Sequence, residues 1–130
     1  MARMQKNEIR LLVVDDEPII ALEIEHIAQE AGWNVTAVAH NVADALKVIE
    51  QDGCDAAILD ANLRGSTAAP IAQRLRDVGL PFVVVTGYFP DQIGDWVGDA
   101  VVLTKPFDPQ GLKAHLSNMA KADRDRPDAR

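Results

Sequence analysis

The sequence has one cysteine, few basic residues and no long apolar run, and each shortage excludes a class of protein. Cys54 is the only cysteine, so no internal disulfide can form, which suits a reducing, cytoplasmic location. No apolar run approaches the roughly 20 residues of a membrane-spanning helix. Lys and Arg number 13 against 20 acidic residues, and this net charge of −7 argues against a nucleic-acid or anionic-membrane partner.

The residues that are present predict one α/β domain. Hydrophobic residues make up 48% of the 130, which is enough for a real core. We place the domain at residues 8–122, with flexible termini at 1–7 and 123–130. Short apolar runs bounded by turn residues predict buried strands. They fall at residues 9–14, 33–39, 56–60, 82–86 and 101–103.

Helical periodicity separates these strands. Asn41 should cap the second helix, and Asp108-Pro109 should begin the last helix, whose buried residues would be Leu112, Leu116 and Met119. Helix three is predicted to begin near Ser66 or Thr67 and to bury Ile71, Leu75 and Val78. The segment between Thr86 and Val101 contains proline and glycines, so the fourth helix should be short or mobile. The alternation predicts a flavodoxin-like, three-layer (βα)5 fold, with a doubly wound parallel sheet in the order 2-1-3-4-5.

Polar side chains stand at the predicted strand ends. Asp15 and Asp16 follow strand one, Asp60 ends strand three, Thr86 ends strand four, and Lys105 lies just past strand five. The carboxyl ends of parallel strands share one edge of a sheet, where open α/β proteins bind ligands. Clustered carboxylates repel one another unless a cation lies between them. An oxygen-only site of this kind suits Mg2+.

This arrangement predicts phosphoryl transfer to a carboxylate. Asp60 would be the nucleophile, as carboxylates are in aspartyl-phosphate chemistry. The Lys105 ammonium and the Thr86 hydroxyl would stabilise the charge of the transferring group, because phosphoryl transfer depends mainly on positioning and electrostatics.

Four stretches resemble the motifs of response-regulator receiver domains. They are Leu-Leu-Val-Val-Asp15-Asp16-Glu-Pro, Ile-Leu-Asp60, Val-Thr86-Gly and Thr-Lys105-Pro-Phe. The resemblance covers roughly residues 8 to 120. It implies Mg2+-dependent phosphorylation of Asp60 by a histidine kinase or a phosphotransfer protein. It also implies that Asp15 and Asp16 form the acidic pair of the metal site. The metal ligands would be Asp16, Asp60 and the backbone carbonyl of Asn62.

The sequence departs from the general receiver pattern at two positions. The loop after Asp60 lacks the usual proline, and Val102 stands where receivers commonly carry an aromatic switch residue. Pro81-Phe-Val-Val-Val-Thr-Gly-Tyr88 instead resembles the "FAT GUY" subgroup of receivers, often paired with kinases of the HWE type. Thr86 and Tyr88 are then the switch candidates. Residues 87–98 and the last helix would dock a downstream partner, and helix one would meet the phosphotransfer domain.

Other functions compete with signalling through a partner. Nothing after the last helix could fold into an effector, so a single-domain regulator, a phosphate sink for a kinase and a relay of phosphoryl groups all stay open. A phosphorylation-independent adaptor would not need the full set of site residues. A phosphohydrolase usually carries a second acid where this chain has Asn62. An FMN protein would need a Ser-, Thr- and Gly-rich loop after strand one.

Overall fold

The computed structural model describes residues 9–87, 93–105 and 108–124. These residues form seven strands and four α-helices. The strands are β1 Arg10–Val14, β2 Asn34–Ala39, β3 Ala56–Asp60, β4 Asn62–Leu63, β5 Ser66–Thr67, β6 Phe82–Thr86 and β7 Val101–Thr104. The helices are α1 Pro18–Glu30, α2 Val42–Glu50, α3 Ala69–Asp77 and α4 Pro109–Arg124.

Five strands form one parallel sheet in the order β2-β1-β3-β6-β7. This is the predicted order 2-1-3-4-5, since β4 and β5 belong to a separate small hairpin. Strand β3 is central, and all five of its residues are buried. A parallel sheet covered on both faces requires apolar side chains in both directions along such a strand.

Two hydrophobic cores lie on opposite faces of the sheet. Ile58 packs with α1 and α4 on one face, while its neighbour Leu59 packs with α2 and α3 on the other. Consecutive strand residues point to opposite faces, so the run Ala56–Asp60 supplies both cores. Trp33 is 3% exposed in the first core, as expected for a packing residue.

Two predicted helix boundaries are confirmed by hydrogen bonds. The Asn41 side chain accepts a hydrogen bond from the Asp44 amide at 2.8 Å and caps α2. Asp108 accepts one from the Gln110 amide at 3.2 Å, just before Pro109 opens α4. The predicted inward face of α4 is also buried; it consists of Leu112, Leu116 and Met119.

The predicted start of helix three is wrong. Ser66 and Thr67 pair with Leu63 and Asn62 in the β4–β5 hairpin, and α3 begins only at Ala69. The two residues between the strands, Arg64 and Gly65, have φ of 53° and 87°. Two successive positive φ values make the tight turn that joins antiparallel strands.

Val78 also departs from its prediction, because it is 37% exposed. Helix α3 ends at Asp77, and Val78 is its C-terminal cap residue, outside the buried stripe. Between β6 and β7, the described residues contain one helical element, a 3-10 turn at Asp95–Val97. Arg76 on α3 holds this turn by donating to the Trp96 carbonyl at 2.6 Å and the Val97 carbonyl at 2.7 Å.

Tyr88, one of the two predicted switch residues, lies outside the described residues. Over the ranges given above, no helix combines the length and the apolarity that crossing a membrane requires.

Candidate functional site

The carboxyl ends of β1, β3, β6 and β7 meet at one edge of the sheet and carry the predicted polar residues there. Asp15 follows β1 directly, Asp60 is the last residue of β3, Thr86 is the last of β6, and Lys105 follows β7. The Lys105 Nζ lies 3.2 Å from Asp60 Oδ2 and 3.3 Å from Asp15 Oδ2. Residues 45 and 90 positions apart in sequence are therefore in direct contact.

Three carboxylates form the acidic part of this site. Asp15, Asp16 and Asp60 each offer an oxygen within 4.8 Å of the others. Asp15 is fully buried, Asp60 is 6% exposed, and Asp16 is half-buried. An oxygen-only set that is partly open to water fits Mg2+, which keeps several water ligands. The residues present therefore fit the ion that the sequence predicted.

Backbone amides orient two of these carboxylates. The Glu17 amide donates to Asp15 Oδ1 at 2.9 Å, at the start of α1. The Asn62 amide donates to Asp60 Oδ1 at 3.3 Å. The Asn62 side-chain oxygen is occupied elsewhere, since it accepts from the Gly65 amide at 3.2 Å and braces the turn. The hairpin thus fixes Asn62 beside Asp60.

The environment of Asp60 raises its pKa from 3.8 to about 6. Burial is the largest cause, because the charged form loses hydration, and the neighbouring Asp15 charge adds to it. Lys105 and the Asn62 amide act in the opposite direction and favour the carboxylate. Burial acts to lower the pKa of Lys105, but Asp60 and Asp15 together outweigh it and raise the pKa. The Lys105 ammonium therefore stays charged.

The stability of the protein should depend on pH through Asp60. Its folded pKa is raised, so the folded protein binds more protons than the unfolded chain between 3.8 and about 6. Stability therefore rises as the pH falls through that interval. The full shift corresponds to about 3 kcal/mol, and pairing with Lys105 and relaxation of the site reduce it.

We expect Asp60→Asn to be more stable than the wild type by about 1–2 kcal/mol near pH 7.5 in chelator, with the gap shrinking near pH 5. Urea unfolding of both proteins at the two pH values measures this gap. A difference in free energy of unfolding that stays constant across the interval would contradict the assignment.

Thr86 lies beside this cluster on the neighbouring strand. Val85 pairs with Asp60 across the sheet, and Thr86 is the next residue and is fully buried. Its carbonyl accepts a hydrogen bond from the Lys105 amide at 2.6 Å. The ends of β6 and β7 are thereby tied together, which sets the start of the Lys105 side chain relative to Thr86.

An open depression of about 660 Å³ covers the acidic cluster, large enough for a hydrated ion and a tetrahedral anion. Its lining residues are Asp16, Glu17, Asp60, Asn62, Arg64, Gly65, Gly87 and Lys105. Two charged residues among them were not predicted as site residues. Glu17 comes within 3.9 Å of Lys105 Nζ, and Arg64 Nε lies 3.5 Å from Asp16 Oδ2. The Arg-Gly pair after Asn62 was the available signal, because it predicts a turn that returns the chain to the site.

The family profile described as "Response regulator receiver domain" matches residues 11–117. The phyllosphere-induced regulator PhyR of Methylorubrum extorquens is 28% identical over 112 residues, which are 82% of this chain and 42% of PhyR. The regulatory protein TrcR of Mycobacterium tuberculosis is 31% identical over 126 residues, or 92% and 48% of the two chains. The chain thus spans about half the length of these curated relatives.

A solved structure of similar length also matches. The solution structure of SdrG from Sphingomonas melonis is 36% identical with a TM-score of 0.75, over 87% of this chain and 96% of SdrG. SdrG has also been solved in a BeF3-activated conformation, which is 37% identical with a TM-score of 0.72 over 85% and 95%.

Proposed function

The chain belongs to the response regulator receiver domain family, and we propose that Asp60 accepts a phosphoryl group in a Mg2+-dependent reaction. The observation that carries this proposal is the contact of Lys105 Nζ with both Asp60 and Asp15, at 3.2 and 3.3 Å, beside a third carboxylate. Lys105 and the exposed Arg64 bring two positive charges to three carboxylates, so the site has capacity for a further cation.

Each described residue has a distinct task in the proposed reaction. One Asp60 carboxylate oxygen forms a bond to phosphorus, and the bond between phosphorus and the donor atom breaks, so that the donor leaves with its electron pair. The Lys105 ammonium stays beside Asp60 and stabilises the negative charge that accumulates on the transferring group. The Thr86 hydroxyl donates a hydrogen bond to the phosphoryl product.

Magnesium, when bound, would neutralise the carboxylates and the phosphoryl oxygens together. Asp15, Asp16 and Asp60 provide the acidic side of its site, and we assign Asn62 a ligand role through its backbone carbonyl. Its side-chain oxygen already accepts the Gly65 amide. A ligand role for the main-chain carbonyl is what the resemblance to receiver domains implies.

Receiver domains interact with histidine kinases or phosphotransfer proteins, and we assign that donor class here. We further propose membership of the "FAT GUY" subgroup and pairing with a kinase of the HWE type, because the Pro81-Phe and Thr86-Gly87 motif resembles the signature of that subgroup. Phosphorylation adds nearly two negative charges, enough to reorder a neighbouring loop. The proposed output surface is therefore residues 87–98 with α4, and Tyr88 and Thr86 are the proposed switch residues.

Acetyl phosphate tests the proposal without knowledge of the kinase. With MgCl2 present, the intact protein should gain the mass of one phosphoryl group. Chelation of the metal should prevent the gain, and Asp60→Asn should stay unmodified. A modification that survives chelation, or that appears on the Asp60→Asn protein, would refute the assignment. A phosphorylation-independent adaptor would show no gain in mass under any of these conditions.

A further inference from the structure

Arg64 holds an unusual place at the edge of the site. It sits in the β4–β5 turn at a φ of 53°, a left-handed conformation that is unfavourable for a non-glycine residue. The Gly65 amide bonded to Asn62, and the pairing of β4 with β5, keep the turn in this shape. The backbone of Arg64 is thereby fixed, although its side chain is 76% exposed.

The ion pairs at the site divide the acids between two cations. Lys105 reaches Asp15, Asp60 and, at 3.9 Å, Glu17. Among the ion pairs of the described ranges, the one that reaches Asp16 comes from Arg64, with Nε 3.5 Å from Oδ2. Asp16 is also one of the three carboxylates whose oxygens converge. The same acid therefore faces an arginine and the position where a divalent cation would bind.

We propose that Arg64 is a built-in competitor of Mg2+: its guanidinium pairs with Asp16 when the metal is absent and must be released when the metal binds. This inference rests on the proposed magnesium site. The pair is exposed and long, so its strength is that of a surface ion pair, and displacement costs little. Arg64 therefore lowers the affinity for Mg2+ without blocking the site. After its release the guanidinium stays at the rim of the same depression.

Mg2+ affinity measured without any phosphoryl donor tests the inference. Arg64→Gln should bind Mg2+ about two- to five-fold more tightly than the wild type at low ionic strength, because the exposed pair is worth up to about 1 kcal/mol. The amide signals of Glu17 and Asn62 can report MgCl2 titrations by NMR, since these amides donate to Asp15 and Asp60. The Arg64 Nε signal of the wild type should shift in the same titration.

Arg74→Gln provides the matched control. Arg74 pairs with Glu50 on α2, so its replacement changes the net charge by the same amount without touching Asp16. Its Mg2+ affinity should equal that of the wild type. If Arg64→Gln bound Mg2+ with the same affinity as the wild type, the proposed role of Arg64 would be refuted. The same holds if Arg64→Gln and Arg74→Gln gained affinity equally. Either result would leave the proposed metal site standing. Failure of both the wild type and Arg64→Gln to bind Mg2+ would overturn the proposed metal site as well.

Discussion

Lys105→Met is expected to slow phosphorylation by acetyl phosphate at least about 100-fold, the usual consequence of removing one preorganised charge-stabilising group. Methionine preserves much of the length of the lysine side chain but has no charge. The variant therefore loses the ammonium that lies 3.2 Å from Asp60 and 3.3 Å from Asp15. The negative charge of the transferring group would then be opposed by fewer fixed cations. The rate of mass gain in saturating MgCl2 measures the effect.

Lys113→Met is the control for this prediction. Lys113 on α4 pairs with Glu30 on α1 at 3.1 Å, so its loss changes the net charge equally but leaves the site intact. We expect this variant to be phosphorylated at the wild-type rate. Lys105→Met should still bind Mg2+, because the three carboxylates remain. A rate within about threefold of the wild type would contradict an electrostatic role for Lys105.

Asp55→Asn should reduce the free energy of unfolding by about 2–3 kcal/mol, because a fully buried carboxylate loses its charged hydrogen bonds to the partly exposed Arg10. Asp55 is fully buried just before β3. It accepts hydrogen bonds from the Arg10 amide at 2.9 Å, from Arg10 Nε at 3.1 Å and from Arg10 Nη2 at 3.0 Å. These bonds raise the pKa of Arg10, which means that they favour its charged form. Asparagine can present only one acceptor oxygen to these three donors.

Asp52→Asn tests whether burial determines how much an acid paired with Arg10 contributes to stability. Asp52 is 66% exposed on its side chain and pairs with the same arginine at 3.5 Å. Its backbone has a φ of 55°, which asparagine accepts readily. We expect a loss below about 0.5 kcal/mol. Urea unfolding at neutral pH measures the free energy of unfolding of both variants. Equal losses of stability would show that the burial of Asp55 does not increase its contribution.

Local patterns predicted most of the elements because their signals are short in range. The run Ala56–Asp60 is apolar until its final carboxylate, and it forms the central strand with those limits. Asn41 and Asp108-Pro109 predicted helix starts because capping depends on residues only a few positions apart. Right-handed crossovers limited the topology, and the order of the parallel strands, predicted as the common five-stranded arrangement, is confirmed.

Such local patterns could not predict the β4–β5 hairpin or the exposure of Val78. Two-residue strands carry almost no periodicity, so Ser66 and Thr67 looked like a helix start. Val78 continues the spacing of Ile71 and Leu75, but the helix ends before it. Whether a helix continues for another turn depends on what packs against it, which local spacing does not contain.

Local sequence patterns place Asp15, Asp60, Thr86 and Lys105 at or just after strand ends, and the parallel topology therefore brings them to one edge of the sheet. How the charges pair at that edge is visible only in the folded chain, where Lys105 lies between Asp15 and Asp60 and Arg64 pairs with Asp16. The two kinds of information differ in how far they extend along the chain. Strand ends follow from the local hydrophobic pattern and from the parallel topology. Side-chain pairing within a few ångströms depends instead on the exact course of every loop that meets at the edge.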